Sequence, residues 1–96
     1  MKLELIAFTQ RGSDLAQRLA DTLSGRGHQA ACTRDGLKAE AWAERAFSRS
    51  EGLIFVGATG IAVRSIAPHL RHKSSDPAVI VVDEGGQFVI PILSGH

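Results

Sequence analysis

A strand, a tight glycine turn and a helix start follow one another between residues 53 and 70, and this segment constrains the fold most. Residues 53–56 are apolar and end at Gly57, as expected for a buried strand that stops at a turn. Gly60 then opens a segment whose apolar residues, from Ile61 to Leu70, have helical spacing. A strand that passes directly into a helix is the building unit of α/β proteins, so we expect that class of fold.

The turn after this strand has the features of an anion-binding site. The first backbone N–H groups of a helix have no intrahelical partner, and the helix dipole favours negative charge beside them. The candidate binding residues are Gly57, Ala58, Thr59 and Gly60, with Arg64 one turn later as a bidentate partner for a carboxylate. The alternative is a turn that uses glycine only for close packing. Gly-x-x-Gly alone is neither a dinucleotide fingerprint nor a P-loop.

Strand and helix patterns alternate along the rest of the chain. We predict strands over residues 3–8, 28–33, 53–56, 78–82 and 87–93. We predict helices from an N-cap at Ser13 to Gly25, over residues 38–48, and from Gly60 to a break at Pro68. This order predicts a three-layer α/β/α sandwich with a mostly parallel sheet of about five strands that ends in a β-hairpin. Pro91 favours an edge position for the last strand.

The size of the chain indicates one α/β domain over residues 1–96, with a net charge of only +1. Cys32 is the only cysteine, which excludes an intramolecular disulfide and a cysteine-based metal site and favours a cytoplasmic location. No apolar run reaches the length of a membrane span, and we expect neither a membrane nor a nucleic-acid partner. A helix should follow the last strand of a doubly wound fold, so we expect a fragment of a longer protein.

Two further groups of polar residues are candidates for chemistry. His69 and His72 have metal-ligand spacing, but Pro68 breaks the helix before them and no third ligand is evident, so no metal site is predicted. Asp83 and Glu84 lie side by side before two glycines in a predicted turn. The preference of Asp before Gly for turns is enough to explain Glu84, and the role of Asp83 stays open. Ser94, Gly95 and His96 follow the last predicted strand, where they either form a terminal loop or bring a hydroxyl and an imidazole to the edge of the sheet that holds Gly57.

The segment from Val56 to His96 resembles the N-terminal domain of the CbiG family. The resemblance rests on GATGIAVR, SDPAV, VVDEGG and the final SGH, which occur in that order. The first half of the chain is compatible with the family and less diagnostic. CbiG proteins are cobalt-precorrin-5A hydrolases of the anaerobic cobalamin pathway.

The resemblance implies an enzyme that opens the δ-lactone of cobalt-precorrin-5A, releases acetaldehyde and forms cobalt-precorrin-5B. Water attack on the ester carbonyl and the C–C cleavage that follows need a general base and oxyanion stabilisation. We assign the base to His96 or Asp83, and substrate binding to residues 57–60, Arg64, Ser94 and Gly95. The substrate carries its own cobalt, so we expect no cofactor.

The resemblance also implies the partners of the chain. CbiG proteins continue past SGH into a second domain, so we expect that domain and the cobalt-tetrapyrrole substrate as partners. Whether the chain also forms a homodimer is left open. The alternative function is a non-catalytic α/β module that binds a corrinoid intermediate or docks onto a pathway enzyme. A nucleotide- or phosphate-binding domain is a third possible function.

Overall fold

The computed structural model describes residues 1–33 and 38–93, which alternate between strands and helices. The strands are β1 (Lys2–Ala7), β2 (Gln29–Thr33), β3 (Gly52–Val56), β4 (Ala78–Val82) and β5 (Val89–Leu93). The helices are α1 (Gln10–Gly25), α2 (Ala39–Arg49) and α3 (Thr59–Ile66), and a short 3₁₀ turn (Ala67–His69) follows α3. No helix of the described residues is both long and apolar enough to cross a bilayer.

The five strands form one sheet in the order β2-β1-β3-β4-β5. The first four strands of this order are parallel, and β5 runs antiparallel to β4. Helix α1 packs on one face of the sheet, while α2 and α3 pack on the other. The predicted fold class is therefore confirmed, including the closing hairpin and the edge position of Pro91.

Alternation along β3 divides the core between the two faces of the sheet. Ile54 and Val56 pack with the α1 side, whereas Leu53 and Phe55 pack with α2 and α3. The Trp42 ring meets Phe55 edge-on, with 5.1 Å between ring centroids and 83° between planes. This strand is buried along its whole length, as expected at the centre of a doubly wound sheet.

The predicted N-cap of α1 is wrong, because the helix begins one turn earlier. Thr9 is the N-cap, and its Oγ1 accepts a hydrogen bond of 3.0 Å from the N–H of Gly12. Gly12 is buried in the first turn, where a Cβ would lie 3.2 Å from Oγ1 of Thr9 and 3.4 Å from Cβ of Ala7. The predicted N-cap at Ser13 places Gly12 before the helix, whereas in the structure this glycine lets the first turn of α1 pack closely on Thr9 and Ala7.

The last strand also starts later than predicted, at Val89 and not at Gln87. The carboxylate of Asp83 accepts hydrogen bonds from the N–H groups of Gln87 and Phe88, at 2.8 and 2.6 Å. Those donors therefore hold the turn and do not extend β5 as a strand.

Candidate functional site

The carboxyl ends of β1 and β3 lie side by side, and the helices that follow them leave toward opposite faces of the sheet. Ala7 pairs with Val56 at these ends. Helix α1 then covers one face and α3 the other. Such a topological switch point opens a crevice between two loops, and ligands of doubly wound proteins bind there. The candidate site is therefore the rim formed by residues 8–9 and 57–60.

Gly57 shapes this rim and does not offer its own amide to a ligand. Its N–H donates a hydrogen bond of 2.9 Å to the carbonyl oxygen of Val82. Its φ of 154° is one that residues with a side chain rarely adopt, and a Cβ would lie 3.2 Å from the Phe8 ring. Of the four predicted binding residues, this leaves Ala58, Thr59 and Gly60 as candidate main-chain donors.

The N-terminus of α3 is open to solvent. Its N-cap is Ala58, and no described side chain caps the first turn. Ala58 and Gly60 are exposed and Thr59 is half-buried, so solvent reaches this turn. Helix α1 differs, because Thr9 caps it. The first-turn N–H groups of α3 have no intrahelical acceptor, which is compatible with anion binding, and their binding role stays a prediction.

Arg64 folds back over this open helix start. A Cβ built on Gly60 would lie 3.5 Å from Nη2 of Arg64, so the guanidinium group rests beside the Gly60 backbone. No acidic residue occupies the first turn of α3. The guanidinium charge and the helix dipole therefore act in the same direction and favour an anion at this point.

Asp83 lies at the end of β4, and its carboxylate organises the turn into β5. Oδ1 accepts from Gln87 and Phe88, and Oδ2 accepts from the N–H of Gly85 at 3.2 Å. The hydrogen bond from the Phe88 backbone is the largest cause that lowers the pKa of Asp83 below its usual range. A carboxylate that accepts three N–H bonds is a weak base, which favours a turn-organising role.

Two residues at or beside the rim, Phe8 and Arg11, were not predicted from the sequence. Arg11, in the first turn of α1, places Nη2 3.3 Å from the position of a Cβ on Gly85. Phe8 is 40% exposed and lies against Gly57. The sequence predicts Phe8 as the last residue of the first strand and places Arg11 before the predicted N-cap at Ser13. Their one sequence signal is their position at the end of the first apolar run and three residues beyond it.

A known protein family matches this chain from α2 onward. The profile of the family described as cobalamin synthesis G N-terminal matches residues 41–96. The chain belongs to this family. Membership gives the chain a role in cobalamin synthesis and confirms the predicted resemblance.

Two relatives carry the name cobalt-precorrin-5A hydrolase. The Salmonella typhimurium protein is 43% identical over 104 residues, which cover 98% of this chain and 28% of that protein. The Priestia megaterium protein is 50% identical over 50 residues, or 52% of this chain and 13% of that protein. This member of the cobalamin synthesis G family thus spans less than a third of the length of the relatives that it matches.

A solved structure of a cobalamin biosynthesis protein G homolog from Sulfolobus solfataricus has the same fold. It superposes with a TM-score of 0.84 at 22% identity, over 99% of this chain and 30% of that one. The strand order and the switch point described above are therefore features of a known fold.

The predicted site residues Ser94, Gly95 and His96 lie outside the described residues, so their roles stay predictions. The two histidines of the HxxH spacing make local contacts elsewhere. His69 lies against Phe47, with 6.0 Å between ring centroids, and Nδ1 of His72 accepts from the N–H of Ser74 at 3.1 Å. Within residues 1–33 and 38–93, no three potential ligands cluster to hold a metal ion.

A partly buried ion pair near the amino edge of the sheet holds α2 to β1. Glu4 is 5% exposed and accepts from Nε and Nη2 of Arg49, at 2.9 and 2.6 Å, and from Oγ of Ser50. The Arg49 hydrogen bond is the largest cause that lowers the pKa of Glu4. Both carboxylate oxygens of Glu4 accept hydrogen bonds from Arg49 and Ser50. We therefore interpret the pair as a contact that stabilises the fold.

Proposed function

We propose that this chain is part of a cobalt-precorrin-5A hydrolase and forms one wall of its substrate site. The observation that carries the proposal is the 43% identity to the Salmonella typhimurium hydrolase over nearly the whole chain. Membership in the cobalamin synthesis G family supports the same pathway. The proposed reaction is the opening of the δ-lactone of cobalt-precorrin-5A with release of acetaldehyde.

The open start of α3 supplies anion-binding donors in this proposal. No described side chain caps the first turn of α3, which holds the exposed Gly60 and the half-buried Thr59, and Arg64 adds a positive charge beside Gly60. The substrate offers two kinds of negative charge, its peripheral carboxylates and the oxyanion that forms when water attacks the lactone carbonyl. Preorganised donors stabilise either charge, and an oxyanion more strongly because it develops in the transition state.

The general base comes from outside the described rim in this proposal. Asp83 already accepts three N–H bonds, and its pKa is lowered. His96 stays the candidate within this chain, and the longer relatives contain residues beyond the matched region. We therefore propose that full activity needs the rest of the protein, with the site lying between the two parts.

The test joins this chain to the part of the Salmonella typhimurium relative that follows the matched region. Acetaldehyde release from cobalt-precorrin-5A is then measured for the fusion, for Arg64→Ala and for the control Arg45→Ala. Arg45 is an exposed arginine of α2. We expect the fusion to be active and Arg64→Ala to lose about ten- to a hundredfold in kcat/KM, the value of one charged hydrogen-bond pair.

Two outcomes contradict the proposal. A folded fusion that releases no acetaldehyde refutes the hydrolase assignment. Equal losses for Arg64→Ala and Arg45→Ala refute the role of the α3 rim. Added salt should weaken substrate binding in the active fusion, because the proposed contacts are partly exposed charges.

The second candidate function is a non-catalytic module that binds the corrinoid intermediate. The turn-organising contacts of Asp83 favour it, since the rim then has anion donors and no free base among its described residues. This candidate predicts that the Salmonella typhimurium segment alone releases acetaldehyde and that adding this chain lowers only KM. If acetaldehyde release requires both this chain and the Salmonella typhimurium segment, the binding-module candidate is rejected.

A further inference from the structure

The α1 face of the sheet is covered only in part. Helix α1 contacts mainly β1, β2 and β3. A helix is about 10 Å wide and neighbouring strands lie about 4.8 Å apart, so one helix covers roughly two strands. Strands β4 and β5 extend beyond that width, and sheets of this architecture have helices on both faces.

The uncovered area is apolar. Val89 pairs with Val82, which belongs to the cluster under α1, so Val89 faces the α1 side. Val89 is nevertheless 62% exposed. On the same face, Ile80 is half-buried and its partner Pro91 is exposed. We call this surface, formed by Ile80, Val89 and Pro91, the β4–β5 face.

We propose that the β4–β5 face is the docking surface for an amphipathic helix from the segment that follows the matched region in the longer relatives. This inference rests on the proposed function, in which the chain works as part of a longer protein. The matched family is described as N-terminal, and the chain spans 28% of the Salmonella typhimurium relative. A long segment therefore follows the matched region there.

The direction of β5 supports this occupant. Leu93 pairs with Val79, near the start of β4, so β5 ends at the amino edge of the sheet. A helix that continues from this edge can run back across the sheet beside α1. Packed there, it buries the apolar side chains of β4 and β5 and completes the second layer of helices. The surface carries no charged side chain, which matches an apolar helix face.

The test measures thiol accessibility on this face. Val89→Cys is made in the 96-residue chain and in the fusion to the Salmonella typhimurium segment, and Arg45→Cys is the matched control on the opposite layer. Labelling of the native Cys32 in each parent protein is the baseline. We expect the maleimide labelling rate of Val89→Cys to fall about tenfold or more in the fusion, and that of Arg45→Cys to stay unchanged.

A second measurement avoids substitutions. Amide exchange over residues 88–93 of the unmutated proteins should be slower in the fusion, and light scattering should show a monomer. Equal labelling rates of Val89→Cys in both proteins overturn the proposal. The proposal is also overturned if the labelling rate of Val89→Cys in the 96-residue chain falls as protein concentration rises while the measured mass doubles. A second copy of the chain then covers the face. These readouts do not use catalysis, so a protected thiol in an inactive fusion supports this surface and refutes only the enzyme assignment.

Discussion

Two carboxylates of this protein have lowered pKa values for different reasons. Glu4 is buried and bound to the side chains of Arg49 and Ser50, whereas Asp83 accepts hydrogen bonds from the backbone of its own turn. In both cases hydrogen bonds stabilise the ionised form. A lowered carboxylate pKa therefore marks structural anchoring at both positions, and does not by itself mark a catalytic group.

We expect Glu4→Gln to destabilise the protein by about 1–2 kcal/mol, because it replaces a charged acceptor by a neutral one and Arg49 is half-exposed. The folded pKa of Glu4 lies below its ordinary value of 4.5. The stabilisation is therefore fully present above that value and is lost as the pH falls through the folded pKa. Urea unfolding from pH 7 to pH 3 measures this loss.

The control for this experiment is Glu44→Gln, at an exposed position of α2. It should leave the free energy of unfolding nearly unchanged at every pH. A Glu4→Gln variant with wild-type stability at pH 7 would show that the ion pair contributes nothing measurable.

Substitutions of Asp83 separate a turn role from a base role. Asp83→Ala removes the acceptor of three N–H bonds, so we expect a lower Tm and faster amide exchange over residues 85–90. Asp83→Asn keeps one carbonyl oxygen as an acceptor. In the fusion it should retain most of the acetaldehyde release. Loss of that activity at an unchanged Tm would instead identify Asp83 as the base.

At the scale of single elements, α1 and α3 begin differently at the same rim. Thr9 caps α1, whereas the N-cap of α3 is an alanine with no side-chain acceptor. An alanine N-cap costs about 0.5–2 kcal/mol relative to serine or threonine. Retention of such a cap fits a site that leaves backbone donors open for a ligand, as in the trade-off between stability and function.

We therefore expect Ala58→Ser to stabilise the protein by about 0.5–2 kcal/mol and to lower kcat/KM of the fusion, because the new hydroxyl occupies a first-turn N–H. Ser48→Ala in α2 is the control. It raises stability through helix propensity, by about 0.5 kcal/mol, and should leave kcat/KM unchanged. Thermal unfolding and the acetaldehyde assay measure both effects. A stabilised Ala58→Ser variant with full activity would exclude the open helix start from the site.

The sequence predicted the elements better than their ends. Periodicity and glycine turns indicated all five strands, because apolar alternation reflects burial directly. The start of α1 is not predicted because Thr9 and Ser13 are both good caps, and the close approach of Gly12 to Thr9 and Ala7 has no sequence pattern of its own. The Glu4–Arg49 pair and the approach of Phe8 to Gly57 join residues far apart in sequence, so no local pattern signals them.

At the scale of the whole molecule, the rim at the switch point and the β4–β5 face have different tasks. The rim offers main-chain donors, and Arg64 and Arg11 lie near it, beside Gly60 and Gly85. The β4–β5 face is apolar and lies beside the edge strand. The two surfaces can therefore serve a small anionic ligand and a polypeptide at the same time.

The edge position of β5 has a consequence for handling the 96-residue chain. An uncharged border strand is a template for intermolecular pairing and aggregation. Pro91 interrupts that template, since it has no N–H to offer a neighbouring chain. Pro91→Thr should therefore make the 96-residue protein form thioflavin-binding aggregates faster, while the fusion stays in solution. Equal aggregation rates for Pro91→Thr and the unmutated chain would show that the missing N–H of Pro91 does not protect this edge.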